Sequence, residues 1–209
     1  MNFLPELFTV AVVHLLAVVS PGPDFVMISK NSLVHSRKVG VYSAAGLGLG
    51  VLIHVTYSLI GIGLIISKSI LLFSVLKFAG AAYLIYIGYK SLRARPRELQ
   101  AKEIGEQNNL GKLAAIRVGF FTNILNPKVS LFFFALFTQV INPQTPKAIQ
   151  ALYGLEMSMM TFVWFALVAT ILSHKLVKAR FASVQHHLER LFGVILIALG
   201  IRVALLSSK

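Results

Sequence analysis

Cysteine is absent from this chain of 209 residues. Its absence excludes disulfides, thiolate metal sites and cysteine nucleophiles, and leaves the redox compartment open. Acidic residues are scarce, seven against 20 lysines and arginines. Charged residues of both signs make up only 13% of the chain. A soluble domain carries about twice that share, and no polar stretch here is long enough to form one. Neither H-E-x-x-H nor G-x-S-x-G occurs. Zinc peptidase and nucleophile-elbow chemistry are therefore not expected, and no cofactor, metal or enzymatic activity is assigned.

What is present is apolar. Hydrophobic residues make up 56% of the chain, with a mean hydropathy of +0.78. That composition belongs to helical proteins that cross a bilayer several times. The net charge of +13 suggests nucleic acid at first sight. The basic residues, however, cluster between apolar segments, so the expected partner is lipid and not nucleic acid. The first residues carry Glu6 and offer no basic n-region or A-x-A site. They are expected to open a membrane span and not a cleaved leader.

Six spans are expected, at about 7–34, 39–66, 70–92, 113–141, 148–173 and 188–206. Counting Lys90 and Arg117 with the third loop, the first, third and fifth loops hold fourteen Lys and Arg. The second and fourth hold only Lys68 and Lys147. The positive-inside rule then puts the odd loops in the cytoplasm and both termini outside. Spans one and four are both long and both broken by proline. The stretch Gly80-Ala81-Ala82-Tyr83-Leu84 in span three is echoed by Gly193-Val194-Ile195-Leu196 in span six. Three spans per half means that the second half inserts upside down relative to the first. The expected fold is all-α: one polytopic membrane domain over 1–209, six transmembrane helices in two inverted three-helix repeats. Repeat one covers about 1–92, a cytoplasmic linker 93–112, and repeat two 113–209. Paired broken helices in inverted repeats are a secondary-transporter pattern.

The breaks are the candidate site. Pro21, Gly22 and Pro23 interrupt span one, and Asn126, Pro127 and Lys128 interrupt span four. Proline removes a backbone donor and clashes with the preceding turn. In lipid the freed carbonyls need protein or cavity water. Pro23 and Pro127 fit the first position of a second half-helix. Asp24 and Lys128 then sit in the first turns. In the inverted topology both half-helices start near mid-membrane, where their N-termini favour anions. A zwitterion fits such a place, with its ammonium at Asp24 and its carboxylate at Lys128 or the N–H groups. Pro21, Gly22, Pro23, Asp24, Asn126, Pro127 and Lys128 are the expected substrate contacts.

Three side chains are candidates for a coupling proton: Glu156, Asp24 and His14. Ionisable groups at membrane depth often serve as relays, and the plainer alternative is a structural ion pair or hydrogen bond. For Glu156 that partner would be Lys128 or Lys77. Gly46-x-x-x-Gly50 gives span two a face for close helix packing, within the protomer or in a homodimer.

At these residues the chain resembles the LysE/RhtB family of bacterial amino-acid exporters. The likeness rests on Ser20-Pro21-Gly22-Pro23-Asp24-Phe25, the glycine-rich second span, Gly80-Ala81-Ala82-Tyr83-Leu84, and Asn123-Ile124-Leu125-Asn126-Pro127-Lys128. The stretch from Val13-His14 to Ser36-Arg37-Lys38 is most similar to the threonine-exporter branch. The resemblance implies proton-driven efflux of a small neutral amino acid, threonine or homoserine, across the bacterial inner membrane. The competing expectations are an exporter or channel for another small solute or a metal ion, and a non-transporting accessory subunit.

Overall fold

A computed structural model describes residues 3–20, 22–68, 70–93, 110–142, 144–172 and 190–201, without 192 and 199. The regular structure among them is helical. The helices are α1 (Leu4–Val19), α2 (Pro23–Val34), α3 (Arg37–Lys68), α4 (Ile70–Leu92), α5 (Lys112–Ile124), α6 (Pro127–Gln139) and α7 (Lys147–Leu172). Five of the six expected spans therefore appear as helices or helix pairs at the expected places. The sixth falls largely outside the described residues.

Spans one and four are the bent pairs α1–α2 and α5–α6, with bends of 58° and 59°. Taken as one, each pair is long and apolar enough to cross a bilayer, as are Arg37–Gly61 and Lys147–Leu172. Proline dictates both bends. Pro23 and Pro127 stand at the first positions of α2 and α6, where a missing N–H costs nothing. Gly22 before Pro23 is extended, and no described glycine has a positive φ.

The contacts show how the pairs run. At one end Glu6 of α1 meets the α6–α7 connection. Its carboxylate accepts from the Asn142 backbone N–H at 2.5 Å, from Thr145 at 2.7 Å and from the Tyr153 hydroxyl at 3.2 Å. At the other end Lys112 lies over the Tyr42 ring, and Gly40 sits against Ala169 and Ser32. The described starts of α3 and α5, with Arg37, Lys38 and Lys112, thus lie at the end opposite Glu6. The two bent pairs run antiparallel, and so do α3 and α7.

Glycines allow the helices to close on one another. A Cβ on Gly46 would run into the Ile116 carbonyl, and one on Gly119 into the Ser43 carbonyl. A Cβ on Gly50 would lie 2.6 Å from the Asn123 side-chain oxygen. The Gly46–Gly50 face is therefore used within the protomer, to seat α5 on α3. Gly88 and Gly193 face each other's carbonyls in the same manner. Among the described residues, the two larger apolar clusters lie on either side of the breaks. One is built on Val10, Phe133, Tyr153 and Met157, the other on Phe25, Leu47, Phe165 and Leu172.

Candidate functional site

The two breaks meet. Asp24, in the first turn of α2, is buried and reaches the α5–α6 break. Its Oδ2 accepts from Asn123 Nδ2 at 2.8 Å and its Oδ1 from Asn126 Nδ2 at 3.0 Å. Lys128, in the first turn of α6, reaches the opposite way. Its Nζ donates to the Ser20 carbonyl and to Ser20 Oγ, both at 2.9 Å. Ser20 is the residue that ends α1. Each broken pair thus sends one charge into the gap of the other. The exchange has a physical logic. The last carbonyls of a helix lack partners, and Lys128 supplies one. A buried carboxylate needs donors, and the two asparagines supply them.

Asn126 has a second task. Its Oδ1 accepts from the Lys128 backbone N–H at 3.1 Å and caps α6. This differs from the expectation that both half-helix N-termini face the site open. Asn126 folds its own side chain over the start of α6. No described side chain caps α2. There the Lys128 side chain crosses Gly22, 3.5 Å from where a Cβ on that glycine would stand.

A cavity of about 40 Å³ lies between the breaks. Among the described residues lining it, Asp24 and Lys128 carry the formal charges, and their sum is zero. Asn123, Asn126, Ser20, Gly22, His14 and Thr161 supply the polar wall, and Val18, Val51, Phe132, Phe133 and Phe165 the apolar one. His14 enters from α1. Its Nε2 lies 3.1 Å from the Met157 carbonyl oxygen and 2.9 Å from Thr161 Oγ1 on α7. His54, also buried, stands behind Asn123 and outside the cavity lining. Its Nε2 lies 3.1 Å from the Asn123 carbonyl oxygen and its Nδ1 2.6 Å from the Tyr57 hydroxyl. The two histidine rings flank Phe133, with centroids 5.7 and 5.4 Å from its own.

Gly22, Asp24, Asn126, Lys128 and His14 are thus brought together. Pro23 and Pro127 are exposed and act through the backbone they start. Pro21 lies outside the described residues. Glu156 is half-buried on α7 and does not line the cavity. It sits roughly 140° around the helix from Thr161, which does. Its Oε2 is buried with no hydrogen-bond partner among the described residues. The side chain of Lys77 is not described. Asn123 and Thr161 were not expected. Asn123 lies at the end of α5 and Asn126 caps α6, so it is the bend between them that turns both amides to Asp24, and the sequence carries no signal for it beyond the break itself.

The chain matches the LysE type translocator family over residues 15–207. It belongs to that family. Among relatives of this translocator, the threonine efflux protein of Salmonella typhimurium is 29% identical over 201 residues, 94% of this chain and 96% of that protein. The homoserine/homoserine lactone efflux protein of the same organism is 37% identical over 133 residues, 64% of this chain and 63% of the relative. An uncharacterized membrane protein of Bacillus subtilis, YrhP, is 29% identical over 195 residues, 90% of this chain and 93% of its own. No solved structure matches the translocator.

Proposed function

We propose that this translocator exports a small neutral amino acid of the threonine or homoserine kind by proton antiport. The observation that carries the reading is the pair of opposite charges lining one cavity from opposite helix breaks. The site is electrically neutral as it stands. A zwitterion keeps it neutral, whereas a cation or anion leaves a net charge at membrane depth. Asp24 has room for the ammonium. A carboxylate accepts about four hydrogen bonds, and the asparagines supply two. The carboxylate of the substrate is drawn to Lys128 and to the start of α2, which no described side chain caps. The names of the relatives support the substrate class.

Antiport follows from one shared carboxylate. Asp24 binds either the substrate ammonium or a proton, so each displaces the other. Glu156 lies off the cavity and cannot compete in this way. Arg37, Lys38 and Lys112 at one end, and the Lys and Arg excess in the odd loops of the sequence, support a cytoplasmic position for that end, in the bacterial inner membrane, with both termini outside. A homodimer must use a surface other than the Gly46–Gly50 face.

The test is exchange in proteoliposomes. The unaltered protein is expected to exchange labelled for unlabelled threonine and to drive efflux with a proton gradient. Asp24→Asn and Lys128→Met each remove a charge from membrane depth, so both are expected to insert and fold. Both should lose exchange by about tenfold or more, the loss of one hydrogen bond to a charged group. Glu156→Gln should retain exchange and gradient-driven efflux. Parental rates in both Asp24→Asn and Lys128→Met would overturn the reading.

A further inference from the structure

His14 lines the cavity, and one of its ring nitrogens is left without a partner by the described residues. His14 is 1% exposed. Its Nε2 faces the Met157 carbonyl oxygen, and a carbonyl only accepts, so Nε2 carries the ring proton. Nδ1 of the neutral ring is then an acceptor. It is buried with no hydrogen-bond partner among the described residues. Asn123 Oδ1 is also buried without one, but it packs on Gly50 of α3. Buried polar atoms nearly always have partners in folded proteins, and an exception inside a cavity calls for a ligand.

The surroundings narrow what that ligand group is. His14 precedes Ser20, which Lys128 grips, by six residues of α1, about 9 Å along the helix. The imidazole therefore belongs to the part of the cavity away from the Ser20–Lys128 contact. Its neighbours there are apolar. Phe132 and Phe133 stand with ring centroids 6.0 and 5.7 Å from its own. One N–H of each of the Asn123 and Asn126 amides is directed to Asp24, and Thr161 faces Nε2. A second ammonium would bring a charge with no counter-charge. The group that fits is small, neutral and able to donate one hydrogen bond.

We propose that His14 Nδ1 accepts a hydrogen bond from the side-chain hydroxyl of the substrate. The cavity then selects hydroxy amino acids over apolar ones of the same shape. This rests on the reading that the Asp24–Lys128 cavity binds an amino-acid zwitterion. A site built to pair a hydroxyl rejects the analogue that lacks it, because the site's own polar atom is left bare.

Threonine and valine differ by a hydroxyl in place of a methyl group. The full-length protein in proteoliposomes is measured for exchange of each, and the readout is the threonine-to-valine rate ratio. The ratio does not depend on how much of a variant folds. His14→Gln keeps an amide that reaches Met157 but has no acceptor at the Nδ1 position. Its ratio should fall by about tenfold or more. His14→Asn places its amide at the Nδ1 position and should retain more of the ratio than His14→Gln. An unchanged ratio in His14→Gln, or an equal fall in both variants, overturns the assignment. If the unaltered protein exchanges threonine, and Asp24→Asn abolishes this, only the role of His14 has failed. If the unaltered protein exchanges no amino acid, the cavity reading fails and the role of His14 with it.

Discussion

Asn123 serves three partners from one position. Its side-chain amide donates to Asp24, its side chain packs against Gly50, and its carbonyl oxygen lies beside His54 Nε2. Removing the amide leaves Asp24 with Asn126 alone. Asn123→Ala should therefore lower stability by about 1–3 kcal/mol, read from thermal unfolding in detergent. The same change made on Asp24→Asn should cost less, since contacting residues are not additive. Equal losses on both backgrounds would mean that the bond to Asp24 contributes nothing. The sequence makes Asp24 and Lys128 conspicuous, because charges are rare in apolar spans and both follow a proline. Asn123 is uncharged, and its neighbour Asn126 already explains the helix start. The partner of His14 is harder still to foresee. It is a backbone carbonyl at Met157, 143 residues away, and every residue has a carbonyl.

Spans and breaks are legible at the element scale because length, hydropathy and proline are local properties. Which helix lies against which is not. The glycines of α3 announce a close approach, and only the fold shows that α5 is what approaches. The crossing of Gly46 and Gly119 gives a sharp expectation. Gly119→Leu must push α3 from α5 at the Ser43 carbonyl. It should destabilise the protein by on the order of 3 kcal/mol, seen as early melting in detergent. Gly61 has nothing described within 4 Å of an added Cβ. Gly61→Ala should melt no earlier than the parent, since alanine favours helix by about 1 kcal/mol. Early melting of Gly61→Ala, or parental melting of Gly119→Leu, would refute the packing. The Glu6 contacts were equally hidden. An acid in the first turn of α1 reads as a helix-start signal, yet here it accepts three hydrogen bonds from the far half of the chain.

Among the described residues, Arg37, Lys38 and Lys112 gather at one end of the molecule, and Glu6 closes the other. A chain without cysteine suits labelling. Single cysteines at Ser36 and Gln144, both exposed, should react with impermeant reagent from opposite sides of the membrane. Ser36 should label only from the cytoplasm and Gln144 only from outside. Labelling from one side at both positions would contradict the antiparallel bent pairs. The balance of Asp24 against Lys128 also has an electrical consequence. The resting site, and the site holding a zwitterion, carry no net charge. In the proposed antiport a proton on Asp24 takes the place of the substrate, and the net charge is then +1. Membrane voltage acts on the last form alone, by about 2.3 kcal/mol per 100 mV for a charge crossing the full field. Substrate exchange should therefore be electrically silent. Under the proposed antiport, net efflux returns a proton inward at each turn, and it should draw current and quicken as the interior is made negative.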